Sequence, residues 1–145
     1  MNYFALMITI FLIPLVMVIC GMSYVKRGPK RITRLQGYRT KMSMKNRDTW
    51  DFAHKYLGDL WFKLGVPMLA VTSVVSLVVF RETNEKILFW CTVIVVIHIA
   101  VMAIPIYFTE KALKTNFDEN GKWRNKEAKE KWLALDAKRQ KDMEP

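Results

Sequence analysis

Long apolar stretches alternate with polar ones along this chain. Residues 3–24 contain no charged side chain over 22 positions, which as a helix is about 33 Å at 1.5 Å per residue and enough to cross a hydrocarbon core of about 30 Å. Two further apolar stretches, residues 64–80 and 87–108, predict spans at about residues 61–80 and 87–108. The pattern predicts an all-α membrane protein with three transmembrane helices.

The segment before the second predicted span, residues 37–60, combines charged and aromatic side chains. Asn46 is a favourable helix N-cap, and apolar residues then recur at steps of three and four, as on one face of a helix. Tyrosine and tryptophan also favour the headgroup zone of a bilayer. We therefore predict an amphipathic helix that lies on the cytoplasmic interface and runs into the second span, with an apolar stripe of Trp50, Ala53 or His54, Leu57, Trp61 and Leu64.

The distribution of basic residues predicts the orientation. Of the 23 Lys and Arg residues, ten fall within residues 25–55 and ten follow Phe108. Because cytoplasmic segments carry the excess of basic residues, the N-terminus is expected outside and the C-terminus in the cytoplasm. The net charge of +10 flanks the membrane segments, so membrane lipid, and not nucleic acid, is the expected partner.

The first apolar stretch is expected to be a retained anchor. A signal peptide carries its basic residues before its apolar core. Here Lys26, Arg27, Lys30 and Arg31 follow the core instead. A retained first span gives an odd number of spans, which agrees with termini on opposite sides of the membrane.

Three polar side chains within the spans are candidates for function. Thr72 and Ser76 are four residues apart on the second span, and antiparallel packing would bring them to the depth of His98 on the third. Ionisable residues inside a membrane are functional candidates. One interpretation is a polar path at this level, and the other is a neutral histidine that hydrogen-bonds a hydroxyl across the helix pair. A single histidine is too few ligands for a metal site.

Residues 37–58 carry a longer motif. G-Y-R-T, S-M-K-N and T-W-D-F-A-H-K-Y-L-G follow one another in this order, and they resemble the signature of the SdpI family of small bacterial membrane proteins. Lys41 departs from that signature, which often has proline there. The resemblance implies one span before the motif and two or more after it, with motif or binding candidates at Gly37, Tyr38, Arg39, Thr40, Ser43, Asn46, Trp50, His54 and Gly58.

The resemblance also implies a function. The family takes its name from an immunity protein that protects its producer against a secreted peptide toxin, and this chain is similar to a short, three-span form in a bacterial cytoplasmic (inner) membrane. A peptide toxin is then an expected partner. No catalytic triple, phosphate-binding glycine loop or metal cluster is evident in the sequence. Neither enzymatic activity nor a cofactor is therefore predicted.

The motif residues allow two physical interpretations. Gly37 permits a tight turn, and Thr40 and Ser43 can cap local backbone groups. The five-donor guanidinium of Arg39 suits a lipid phosphate, a helix C-terminus, or a carboxylate such as Asp48 or Asp51. These residues either bind a ligand or only fold a loop back onto the membrane surface.

The chain is predicted to divide into a transmembrane domain, residues 1–108, and a basic cytoplasmic tail, residues 109–145. Asn120 and Gly121 predict a tight turn within the tail, and residues 124–141 favour a helix. Three short spans bury little surface, so a homo-oligomer is a further expectation. Two other functions stay open: an accessory subunit or small transporter-like module of a membrane complex, and a scaffold for a cytoplasmic regulator.

Overall fold

The fold is all-helical over the residues that the structure describes. The structure is a computed structural model that describes residues 3–26, 28–29, 32 and 37–142. Three of the helices are long and apolar enough to cross a membrane, which confirms the all-α prediction with three candidate spans. The four helices in this part of the chain are α1 (Tyr3–Lys26), α2 (Arg47–Val79), α3 (Asn84–Asn116) and α4 (Lys126–Asp142).

Helix α2 begins at a reciprocal cap. Asn46 Oδ1 accepts a hydrogen bond from the backbone N–H of Thr49 at 2.9 Å, and Thr49 Oγ1 accepts one from the backbone N–H of Asn46 at 3.2 Å. From this capping box the helix continues unbroken to Val79. The amphipathic stretch and the second span are therefore one continuous helix.

The first turns of α2 are covered by protein. Trp50 and Ala53 are fully buried, and Phe52 and Leu57 are 3% and 1% exposed. The prediction of a helix lying on the interface is thus not confirmed, because protein covers the apolar stripe and also Phe52, while Arg47 and Asp48 remain exposed. Aromatic residues that suit a headgroup zone serve equally well in a protein core.

Helices α1 and α2 cross with their backbones in near contact. A Cβ atom added to Gly58 would lie 2.8 Å from the carbonyl oxygen of Gly21, and one added to Gly65 would lie 2.9 Å from Val18 Cγ2. Small residues at a helix interface allow this approach in membrane proteins. The crossing sets the position of the end of α1 against the first half of α2.

One end of the bundle contains the start of α2 and the segment from Phe117 through α4, and we call it the polar end. A cluster of aromatic rings closes this end. The Phe52 ring centroid lies 4.5 Å from that of Trp132, 5.3 Å from that of Phe117 and 5.6 Å from that of Trp123. Phe117 and Trp123 form an antiparallel bridge around a turn in which Gly121 has φ +78°. The predicted tight turn is thereby confirmed.

Helix α4 packs against α2 at the polar end. Lys55 pairs with Asp136, and Arg139 Nη2 lies 3.0 Å from Asp59 Oδ2. Gln140 Nε2 also donates to the backbone oxygen of Val25, at 2.9 Å. The last part of the described chain therefore bridges α2 to the end of α1.

Candidate functional site

The motif is organised around a contact between Gly37 and His54. Gly37 has φ +103°, a conformation that residues with a Cβ seldom adopt. A Cβ atom at this position would lie 2.2 Å from His54 Nε2. The absence of a side chain allows the next backbone N–H, that of Tyr38, to donate to His54 Nε2 at 2.7 Å.

The two hydrogen bonds of His54 define its protonation state. Because Nε2 accepts from Tyr38, the proton resides on Nδ1, which lies 2.8 Å from the carbonyl oxygen of Trp50 and donates to it. The ring is fully buried, and this burial lowers the pKa of His54 below its ordinary value. His54 is thus a neutral imidazole that joins the loop to α2.

We expect the stability of the protein to fall in acid because of His54. Its folded-state pKa is lowered, so the stabilisation is fully present above the ordinary pKa of about 6.5 and is lost as the pH falls below that value. The slope is at most about 1.4 kcal/mol per pH unit for this group. Thermal unfolding of the detergent-purified protein between pH 7.5 and pH 5.5 measures it.

The His54→Gln variant is the control for this pH effect, because glutamine can still accept a hydrogen bond and does not titrate. The sequence holds two histidines, so His98→Gln serves as the second control. We expect the acid-dependent loss to shrink in His54→Gln and to persist in His98→Gln. An unchanged pH profile in His54→Gln would contradict the assignment.

Trp50 and the turn after Tyr38 complete the loop. The indole Nε1 of Trp50 donates to the backbone oxygen of Pro29 at 2.9 Å. Ser43 Oγ accepts from the backbone N–H of Thr40 at 2.8 Å, and Thr40 Oγ1 accepts from that of Ser43 at 3.1 Å. The predicted capping role of Thr40 and Ser43 is confirmed, and it holds the turn in shape.

The Tyr38 side chain links the loop to α3. Its hydroxyl donates to Glu110 Oε2 at 3.2 Å, with the Ile106 carbonyl oxygen at 3.4 Å. Burial, and then the nearby Glu110 carboxylate, raise the pKa of the Tyr38 phenol. The phenol therefore stays protonated and acts as a donor.

These contacts leave a cavity of about 240 Å³ between the loop and the first three helices, which we call the aromatic cavity. The rings of Tyr24 and Trp61 stack with centroids 6.1 Å apart, and the Trp61 indole donates to the Met102 carbonyl oxygen at 3.3 Å. Arg39 is exposed and contributes the cationic part of the wall. The lining residues are Tyr24, Gly37, Tyr38, Arg39, Leu57, Trp61 and Ile106.

The predicted motif residues divide among three places. Gly37, Tyr38 and Arg39 line the aromatic cavity. Asn46 caps α2 and donates through Nδ2 to the Gly121 carbonyl oxygen at 2.6 Å, while Gly58 lies at the α1–α2 crossing. The remaining members, Thr40, Ser43, Trp50 and His54, support the loop that carries Arg39.

Asp51, one of the carboxylates suggested for Arg39, forms an ion pair with Arg47 at 2.8 Å. Sequence reasoning missed three other groups, Tyr24 and Ile106 in the cavity wall and Glu110 beside Tyr38. In the sequence, these three residues were distinguished only by their positions near the ends of the first and third predicted spans. They come together because α1 and α3 pass the motif loop at the polar end.

Of the three polar residues predicted to meet inside the membrane, His98 and Thr72 form a hydrogen bond and Ser76 does not join them. His98 Nε2 and Thr72 Oγ1 are 3.1 Å apart, which confirms a hydrogen bond between histidine and hydroxyl across α2 and α3. The Ser76 hydroxyl donates to the Ser73 carbonyl oxygen at 2.8 Å instead. His98 Nδ1 is buried without a hydrogen-bond partner among the described residues.

No group of three or more His, Cys, Asp or Glu side chains is placed to hold a metal ion in the described part of the chain. The site therefore consists of a cavity with aromatic walls and one guanidinium, supported by a neutral histidine. Backbone groups take part in most of the hydrogen bonds that hold its walls in place, such as those of His54 and Trp61. Such a surface suits binding through stacking, apolar contact and anion recognition.

The fold and the site define a multi-pass α-helical membrane protein with a structured polar end. A family model described as the SdpI/YfhL protein family matches residues 30–109, more than half of the 145-residue chain. The chain belongs to this family. No curated protein and no solved structure matches it.

Proposed function

We propose that this protein protects a bacterial cytoplasmic membrane against a membrane-active peptide toxin by binding the toxin in the aromatic cavity. The observation that carries the proposal is the family match over residues 30–109, which includes the motif that builds the cavity. The bundle crosses the membrane with its N-terminus outside. Its basic polar end then lies at the cytoplasmic surface, in accord with the positive-inside rule.

The chemistry of the cavity supports a peptide ligand. Tyr24, Tyr38 and Trp61 offer ring faces for an apolar or aromatic side chain. Arg39 adds a positive charge to the wall, and this charge favours a carboxylate such as the C-terminus of a peptide. Binding at this place would hold the toxin at the bundle and lower the amount free to assemble in the membrane.

Arg39→Ala should lower protection without lowering the amount of protein in the membrane. Arg39 is exposed and lies outside the core, and an exposed ion pair contributes up to about 1 kcal/mol. Toxin binding should therefore weaken by up to about fivefold. The measurement is survival of a sensitive bacterium that expresses the chain and is challenged with a membrane-active peptide toxin.

Arg81→Ala is the matched control, because Arg81 is an exposed arginine just after α2, away from the polar end. We expect this variant to protect as well as the native chain. Full protection by Arg39→Ala at equal membrane level would show that the cavity does not bind the toxin. Absence of protection by the well-expressed native chain would overturn the proposed function itself.

The hydrogen bond between His98 and Thr72 favours one other function, a polar path through the membrane. Loss of activity in His98→Ala with normal activity in Arg39→Ala would support that path in a transporter-like module. A scaffold for a cytoplasmic regulator is tested differently. Phe117 is fully buried, so truncation after Phe108 would damage the fold, and substitution of exposed lysines on α4 is the cleaner experiment.

A further inference from the structure

A second cavity lies at the polar end, between α1, α2 and α4, and it is separate from the aromatic cavity. Its volume is about 310 Å³, at the lower end of the range of small-molecule sites. Met22 and Phe62 contribute apolar walls, and Lys26, Arg139 and Asp142 contribute charges. We call it the α4 cleft.

The charges of the α4 cleft are of both signs. Asp59, which also lines it, is neutralised by Lys63 at 2.8 Å and by Arg139 at 3.0 Å. Arg139 Nη1 is buried and has no hydrogen-bond partner among the described residues. Arg139 therefore contributes its positive charge to the wall of the cleft, while its Nη2 is held by Asp59.

The two remaining charges of the cleft have opposite requirements. Lys26, the last residue of α1, favours an anion. Asp142, at the end of α4, favours a cation. A purely anionic headgroup would be repelled by Asp142. A headgroup with both charges could pair its anion with Lys26 and its cation with Asp142.

The α4 cleft continues into an apolar groove along α1. Met22 and Lys26 line both the cleft and a neighbouring cavity of about 400 Å³, whose other walls include Val18 and Ile19. Lys26 to Val18 is about 12 Å of helix at 1.5 Å per residue. Ile19 is 58% exposed and Met22 is 40% exposed. The groove thus leads from the charged cleft toward the middle of the first candidate span.

We propose that the α4 cleft binds one phospholipid whose headgroup carries a phosphate and a primary ammonium group. The phosphate lies toward Lys26 and Arg139, the ammonium lies toward Asp142, and one acyl chain follows the groove on α1. Phosphatidylethanolamine has this chemistry. Phosphatidylglycerol lacks the ammonium group, and the quaternary ammonium of phosphatidylcholine has no N–H to donate.

The test is lipid retention by the full detergent-purified chain. It is incubated with equimolar phosphatidylethanolamine, phosphatidylglycerol and phosphatidylcholine of identical acyl chains, and bound lipid is identified by native mass spectrometry. We expect the complex with one lipid to contain about fivefold more phosphatidylethanolamine than phosphatidylglycerol, the ratio that one partly exposed ion pair provides. We also expect more phosphatidylethanolamine than phosphatidylcholine, because only the primary ammonium can donate a hydrogen bond to Asp142. Equal retention of the three lipids would overturn the proposal.

Two variants locate the headgroup. Asp142→Asn should remove the preference for phosphatidylethanolamine over phosphatidylglycerol, and Lys26→Gln should reduce retention of all three lipids. Glu130→Gln, at an exposed position on α4 outside the cleft, should retain the native preference. Asp142 is exposed, so its substitution leaves the fold intact. An unchanged preference in Asp142→Asn would contradict the ammonium site.

A soluble competitor tests the acyl chain. Glycerophosphoethanolamine has the same headgroup without acyl chains. At the same concentration we expect it to leave the retained lipid in place, because the groove on α1 contributes to binding through apolar contact. Displacement of the lipid by this compound would show that the headgroup alone determines binding and would overturn the role of the groove.

Discussion

Gly37→Ala is expected to destabilise the polar end by about 3 kcal/mol or more. A residue with a Cβ at φ +103° costs about 1–2 kcal/mol. The new Cβ would also lie 2.2 Å from His54 Nε2, so the hydrogen bond from Tyr38 must break, and an unsatisfied buried acceptor costs about 1–3 kcal/mol. Chemical unfolding of the detergent-purified protein measures the change in free energy.

Gly28→Ala is the matched control for this effect. Gly28 also has a positive φ, +32°, but the nearest atom to an added Cβ is 3.5 Å away. It therefore bears the backbone cost without the collision, and we expect a loss of about 1 kcal/mol. The double variant Gly37→Ala/His54→Ala should lose less than the sum of the two single variants. Equal losses in Gly28→Ala and Gly37→Ala would refute the Gly37–His54 contact.

The three spans were predictable because charge segregation is a property of the sequence itself. Uncharged runs of about 20 residues have few alternatives to a helix in a membrane. Only half of the capping box at Asn46 was predicted from the sequence. Asn46 was recognised as the N-cap, but Thr49 was not recognised as its partner. The reciprocal bond from Thr49 Oγ1 became evident only in the structure.

The predicted interfacial position of this helix is not confirmed, and the reason is physical. An apolar stripe at helical spacing predicts that one face of the helix is shielded from water. It does not indicate whether lipid or protein covers that face. The start of α2, from its N-cap Asn46, contacts the loop at Pro29, the turn at Gly121 and Trp132 of α4. Each of these groups is distant from it in sequence, so periodicity within the stretch could not indicate them.

The candidate site was predicted in its residues and not in its shape. The motif identified Gly37, Tyr38, Arg39 and His54, but neither the bond between residues 38 and 54 nor the cavity followed from their spacing. The cavity needs Tyr24 from α1 and Ile106 from α3. Such residues belong to one site only after the three helices have packed.

The motif and the helix crossing depend on each other. Gly58 closes the motif and also sets how near α1 approaches α2. That approach places Tyr24 beside His54, with ring centroids 5.1 Å apart, and beside Trp61. A change at Gly58 should therefore affect both the stability of the helix pair and the wall of the aromatic cavity.

Gly58→Ala is expected to destabilise the protein by about 1–2 kcal/mol, because overpacking costs about 1–3 kcal/mol and the helix propensity of alanine offsets part of that cost. The added Cβ would lie 2.8 Å from the Gly21 carbonyl oxygen and 2.8 Å from Tyr24 Cβ, and a backbone group cannot turn aside as a flexible side chain can. Alanine otherwise stabilises a helix interior by about 0.5–1 kcal/mol relative to glycine. In the same unfolding measurement, a lower free energy of unfolding would show that the backbone collision outweighs the helix propensity of alanine.

Gly65→Ala provides the comparison on the same face of α2. Its Cβ would meet Val18 Cγ2 at 2.9 Å as its nearest neighbour, which is a side-chain atom, so we expect a smaller loss than at Gly58. Removing that neighbour with Val18→Ala should recover part of the loss in Gly65→Ala and none of it in Gly58→Ala. If Gly58→Ala instead gave a more stable protein, the two helix backbones would have to lie farther apart than the structure places them.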